Sequence, residues 1–314
     1  MTSFKLLFSD LDGTCVHYQD GDAFKFEPGD SLGDGRLVRA QFNSDKRWTT
    51  ALLLPASTSG AQGIISLRTL ELYASLRAMR RKVILISGCR YSTLIQRLPY
   101  LPAADAYVCE SGGRIFYPDT SLPTAVGLKE DMEWRKRHNL AAGASPPNEE
   151  TITTISEFKK LGPLWRQYCF LKDEGLELDR HHYSTAFRVR IPRQEWQEKY
   201  ASELLPGLDF AENLGAVDVY SNTSGKKNAA VYLMAKFGGN TDGIDSVFMC
   251  DDDNDIELAK AVSKAYLPSI TSDSMRQFAE TNPEKFVVAT KKSVWATEEI
   301  LHILLNNVLE TSTI

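Results

Sequence analysis

The stretch Lys5–Thr14, KLLFSDLDGT, decides the fold, because an apolar run ends there abruptly in two carboxylates and a glycine. It reads as a buried β-strand that delivers acidic residues to its tip. Side chains at i and i+2 of a strand point the same way, which predicts that Asp10 and Asp12 face one site, while Gly13 lets the backbone turn sharply away. Two carboxylates that close repel unless a cation or a shared proton relieves them. Working outward, an apolar strand with a polar tip returns at Lys82–Ser87 (KVILIS, then Gly88), at Ala106–Gly113 (AYVCESGG) and at Asp245–Cys250 (DSVFMC, then DDDND).

The segments between these strands have helical spacing. From Ile64 to Arg81 the apolar positions Ile65, Leu67, Leu70, Leu72, Tyr73, Leu76 and Met79 predict an amphipathic helix with basic residues at its end, where they complement the helix dipole. Further helices are expected at Tyr91–Leu98, Ile256–Tyr266 and Val294–Leu309. A helix joining two short, β-branched strands makes a βαβ unit and hence a parallel sheet. Open sheets of this kind bind ligands beyond the carboxyl ends of their strands, which puts Ser87 at the same end as Asp10.

Two stretches interrupt this rhythm. Cys15–Gly63 reads as loop plus hairpin, a small strand-bearing flap beside the site, since unstructured connections of that length are uncommon. Beyond Phe116, Pro118, Pro123, a charged run and AAGASPPNEE mark a domain boundary. The segment that follows combines a helical pattern through Phe158, Leu161, Leu164, Trp165 and Tyr168, a strand at Thr185–Ile191, a helix opened by Pro192 and a strand at Ala216–Tyr220. Within it Arg188 and Arg190 share a strand face and suit an anionic or hydroxyl-rich ligand.

Composition narrows the partners. With 314 residues and 43% hydrophobic content the chain can bury a large core and form two domains. A net charge of -5 argues against a nucleic-acid or acidic-membrane surface, leaving small molecules. No apolar run approaches the ~20 residues that span a bilayer, and no signal peptide opens the sequence, so a cytosolic protein is expected. The five cysteines are scattered without CxxC spacing and read as reduced thiols. Cys15 beside the acidic pair reads as packing, because no His is placed to activate it.

Asp10 and Asp12, Ser87, Lys226 and Asp251 with Asp255 fall, in that order, at strand ends or a helix start. DLDGT, a strand ending in Ser-Gly, a Lys opening a helix (SGKKNAAVYL) and an apolar strand ending in DDDND together resemble the haloacid dehalogenase superfamily of phosphohydrolases. The resemblance implies an α/β protein with a Rossmann-like parallel-sheet core, residues 1–116 and 221–314 with an insertion at about 15–63. An α+β cap, residues 117–220, is inserted between the Ser and Lys stations. That placement is shared with the branch containing Cof-like sugar phosphatases, sucrose-phosphate phosphatase, trehalose-phosphate phosphatase and phosphomannomutase. The resemblance further implies a Mg²⁺-dependent phosphatase acting on a small sugar or polyol phosphate through an aspartyl-phosphate.

In that scheme Asp10 is the nucleophile and Asp12 the general acid and base. Ser87 and the Gly88 amide grip the phosphoryl oxygens, and Lys226 neutralises charge. Asp10, Asp12 (through its backbone carbonyl), Asp251 and Asp255 surround the ion, a hard cation that takes oxygen ligands. Lys226 is chosen over Lys227 because KKNA aligns its first residue with the KGNA of sucrose-phosphate phosphatases. This chain departs from the branch in reading Ser87-Gly88-Cys89-Arg90 for Thr-Gly-Arg. Two other readings use the same residues: a phosphomannomutase-like phosphotransferase, and a non-catalytic regulatory protein that keeps the fold. The intact Asp10, Asp12, Lys226 and Asp251 speak against the last.

Overall fold

A buried strand needs a partner on each side, and in the computed structural model Leu6–Ser9 has both. The structure describes residues 4–18, 24–28, 36–43, 46–56, 60, 62–119, 127–143, 161–213 and 215–312. In chain order the strands are β1 (Leu6–Ser9), β2 (Phe24–Pro28), β3 (Leu37–Phe42), β4 (Trp48–Leu53), β5 (Ile64–Ser66), β6 (Lys82–Ile86), β7 (Ala106–Cys109) and β8 (Arg114–Pro118). They continue as β9 (Leu128–Glu130), β10 (Leu178–Asp179), β11 (Ala186–Val189), β12 (Leu208–Asn213), β13 (Ala216–Ser221), β14 (Ser246–Met249), β15 (Lys264–Leu267) and β16 (Phe286–Val288).

The largest sheet has the order β16-β15-β14-β1-β6-β7-β8-β9. Leu6 stands opposite Ser246 on one side and Lys82 on the other, both parallel. The chain leaves β1 toward β6 and returns to its other side only at β14, so the strand order reverses at β1. A crevice at such a reversal is where open α/β sheets place ligands.

Both faces of the sheet are covered, which is why its strands read as continuous apolar runs. Leu7, Val83, Leu85 and Met249 pack on one side with Leu72, Tyr73 and Leu76; Leu6, Phe8, Ile84, Ile86 and Phe248 pack on the other with Leu233, Met234 and Leu258. The helix Ser293–Ser312 joins the first side through Ile300, Leu301, Leu304, Leu305 and Val308. None of the described helices is long and apolar enough to cross a membrane.

Three expectations shift. The helix expected over Ile64–Arg81 runs from Leu67 to Ala78; Ser66 caps it by accepting from the Thr69 amide, and Ile64 and Ile65 belong to β5. The helix expected over Ile256–Tyr266 ends at Ala261, and Lys264–Leu267 is a strand, because Ala265 and Leu267 pack in the sheet core beside β14. Finally, the core sheet does not stop at residue 116. β8 and β9 extend it in antiparallel sense, and the Met132–Ala142 helix sets Trp134 into its core. Phe158 and the SPPNEE stretch lie outside the described residues.

Two smaller antiparallel sheets sit on this frame. β10-β11-β13-β12 is backed by the helices Pro163–Asp173 and Arg193–Lys199, with Trp165, Trp196, Phe187, Val189, Val217 and Val219 forming a separate apolar layer. Its other face carries Tyr183, Ala186, Asp218 and Tyr220. β2-β3-β4-β5 is the flap, a full sheet where loop plus hairpin was expected. Its inner residues Val38, Ala40, Phe42 and Ala51 pack with Val294 of the last helix.

Candidate active site

The strand β1 ends at Ser9, so Asp10–Thr14 is a loop rather than a continuation of the strand. The two-residue alternation therefore lapses, and Asp10 and Asp12 have different partners. Asp10 lies 3.0 Å from the Lys226 ammonium, whereas Asp12 lies 2.8 Å from Arg97 Nη1 and accepts the Tyr18 hydroxyl. The expectation that both carboxylates face one site is corrected to neighbouring positions with separate anchors. Gly13 has φ +84° and packs so tightly that a Cβ there would stand 2.1 Å from Asp251 Oδ2.

Lys226 opens the helix Lys226–Lys236 and is buried, while Lys227 is exposed. Its ammonium donates to Asp255 Oδ1 at 2.6 Å and to Asn254 Oδ1 at 2.9 Å, besides the ion pair with Asp10. Asp251 is fixed from two directions, by Thr14 Oγ1 on Oδ1 at 2.8 Å and by Thr271 Oγ1 on Oδ2 at 3.0 Å. Asp255 also accepts from the Asp251 amide at 3.3 Å, which closes the DDDND loop on itself.

Asp10, Asp251 and Asp255 are all buried and bring ligand oxygens within 4.8 Å of one another; Asp12 is outside this group. Burial raises the pKa of Asp10 to about 8, against the pull of Lys226 and with help from Asp255 and Asp12. Burial likewise raises Asp251 and Asp255. Three carboxylates thus face one ammonium, which pairs with Oδ1 of Asp10 and with Oδ1 of Asp255. An acidic, all-oxygen pocket in which three buried carboxylates outnumber one ammonium fits a small divalent cation. Cys15 is buried beside it, and burial pushes its thiol well above the ordinary range, so it packs and does not supply a thiolate.

Ser87 follows β6, buried, its hydroxyl accepting from the Cys89 amide at 3.0 Å. Gly88 lies under the cap sheet: a Cβ there would meet Asn213 Nδ2 at 2.4 Å. Arg188 stands on the open face of the cap sheet, but Asp218 across the ladder holds it by two bonds, 2.7 and 2.9 Å, and also accepts from Asn213 at 2.7 Å. Its charge is matched within the cap. Arg190 lies past the end of β11, half exposed, paired with Glu177 and Asp179 at 3.0 Å each. The expected pair is therefore divided, with Arg188 on the inner face and Arg190 outside.

Sequence reasoning missed several contributors. Glu110, at the tip of β7, is fully buried and accepts from the Ser184 amide at 2.9 Å, the Thr185 amide at 2.7 Å and the Thr185 hydroxyl at 2.6 Å. Arg90, noted in the sequence as the displaced Arg of the Thr-Gly-Arg pattern with no role assigned, reaches the Asp179 carboxylate and the His181 carbonyl of the cap and lies over the Tyr183 ring. Arg193 of the cap pairs with Asp253, inside the DDDND loop. The cap is thus seated on the loops that carry the core residues. The Glu-Ser-Gly-Gly turn after an apolar strand was the one available signal for Glu110; Arg97 and Tyr18 had none.

Compared by sequence, the chain matches no family model and no curated protein. Compared by structure, it is similar to the sucrose-phosphatase of Synechocystis sp. PCC6803 solved with sucrose and phosphate, at 13% identity, 98% of each chain and a TM-score of 0.57. A Thermoplasma acidophilum protein aligns over 98% of this chain and 100% of its own, at 14% identity and a TM-score of 0.56. BT1666 of Bacteroides thetaiotaomicron, from a study of phosphatases of the haloalkanoate enzyme superfamily, aligns over 97% and 95% at 13% identity and a TM-score of 0.54. The chain therefore has the haloacid dehalogenase-like fold, a Rossmann-like core sheet with an added α+β unit.

Proposed function

We propose that this protein is a Mg²⁺-dependent phosphatase that acts on a small sugar or polyol phosphate in a reducing, cytoplasmic setting. The observation that carries the reading is the meeting of Asp10, Lys226, Asp251 and Asp255 in one buried cluster at the reversal point of the sheet. Asp10 is the nucleophile, with Lys226 beside its carboxylate at 3.0 Å. Lys226 offsets charge between Asp10 and the phosphoryl group, an electrostatic role that low-dielectric surroundings strengthen. Ser87 and the Gly88 amide take phosphoryl oxygens. Asp10, Asp251 and Asp255 are the side chains that would hold Mg²⁺, with the Asp12 carbonyl; the bound ion supplies charge neutralisation for attack by one anion on another. Asp12 gives a proton to the leaving oxygen and takes one from the water that follows.

The substrate class rests on the cap. Tyr183, Asn213 and Tyr220 on its inner face combine apolar rings with hydrogen-bonding tips, which suits a polyhydroxylated leaving group. The sucrose-phosphatase likeness agrees with this reading. Phosphate release over a panel of sugar, polyol and nucleotide phosphates with Mg²⁺ tests it. Asp10→Asn is expected to abolish release, and full activity in that variant overturns the mechanism. Transfer between sugar positions without release would assign a phosphotransferase instead.

A further inference from the structure

Arg97 is the last residue of the helix Tyr91–Arg97, and its side chain is only 2% exposed. A buried guanidinium is costly unless a carboxylate meets it, and the carboxylate that meets it is Asp12. The Arg97 Nη1 and the Tyr18 hydroxyl both donate to Asp12 Oδ1. Among the described residues, Oδ2 accepts no hydrogen bond. The guanidinium also donates from Nε to the Pro55 carbonyl at 3.3 Å and lies 5.7 Å over the Tyr18 ring. Tyr18 precedes β2 and Pro55 follows β4 of the flap. Arg97 thus ties Asp12 to both.

We propose that Arg97 and Tyr18 are positioning residues that clamp Asp12 by Oδ1 and leave Oδ2 as the oxygen that exchanges protons, with the flap as their support. The inference rests on the phosphatase reading. Asp10 forms a bond to phosphorus, the bond from phosphorus to the leaving oxygen breaks, and that oxygen receives the proton from Asp12 Oδ2. In the second step water attacks phosphorus, its proton goes to Oδ2, and the Asp10 carboxylate is released. A carboxylate loosened by one donor still carries a proton but holds it poorly aimed, so the loss falls on substrates whose leaving group needs the proton most.

The test is kcat/KM for a series of aryl phosphates, from dinitrophenyl to phenyl, in the Mg²⁺-loaded protein. This ratio reports steps through transfer to Asp10. Arg97→Met, which keeps the stem packed, should lower it about 100-fold for phenyl phosphate and less than about threefold for the dinitrophenyl ester, the scale of general-acid catalysis. Arg97→Lys should recover most of the loss, and Tyr18→Phe should steepen the same dependence to a smaller degree with the fold intact. Asp12→Asn should show the same steep dependence, and adding Arg97→Met to it should cost nothing more. Equal losses across the series, or none, overturn the inference while the phosphatase reading stands. A wild-type protein inert toward every ester overturns both.

Discussion

At the scale of single residues, Gly13 shows how a main-chain atom guards a carboxylate. Its positive φ suits glycine, and the space that a side chain would need is already held by Asp251. Gly13→Ala should therefore push Asp251 aside and raise the Mg²⁺ concentration for half-maximal activity by about tenfold, the size of effect seen when the surroundings of a metal ligand are disturbed. An unchanged Mg²⁺ titration would remove Asp251 from the ion's ligands. Asp10, Lys226, Asp251 and Asp255 were legible because each ends a strand, opens a helix or closes a loop in a recognisable pattern. Arg97, Tyr18 and Asn213 were not, since nothing local distinguishes them from ordinary surface residues; tertiary packing alone brings them to the site.

At the scale of elements, the turn after β7 performs a task no propensity announces. Glu110, Ser111 and Gly112 have φ of +53°, +51° and +89°, three left-handed residues in succession. That shape aims the Glu110 carboxylate at the Ser184 and Thr185 amides of the cap. Glu110→Ala leaves those buried donors unpaired, at about 1–3 kcal/mol. A chain of 314 residues should then melt lower by about 1.5 °C for each kcal/mol. Calorimetry reads this directly, and an unchanged melting temperature would show that the cap is seated by its other contacts, Arg90 and Arg193. The expected boundary near residue 116 cut through β8 and left β9 outside the core, because the Pro-bearing end of β8 and the three-residue Leu-Lys-Glu run of β9 look like linker until the sheet pairs them. β15 was hidden for a similar reason, its apolar residues continuing the helical spacing before it.

At the scale of the whole molecule, two buried histidines tie distant segments. His17 shares a hydrogen bond with Thr297, whose hydroxyl reaches the Thr14 carbonyl, and His138 bonds Thr223. Burial pushes both imidazoles down to about 4. An unfolded histidine takes up its proton near 6.5, so between those values the unfolded chain binds more protons and stability falls as pH drops from about 6.5 to about 4. Melting temperature followed across that range should show the decline, and His17→Gln with His138→Asn should flatten it; an equal slope in the double variant would assign the decline to other groups. The overall architecture was legible from alternating strands and helices, whereas the flap sheet was only half legible, its strands being short and partly polar. The placement of β1 has one more outcome. Its neighbours β6 and β14 lie far apart in the chain, with Leu6 opposite both Lys82 and Ser246. A chain emerging from synthesis therefore carries an apolar strand with one edge open until β14 arrives, and that interval is when such a strand is most exposed to aggregation.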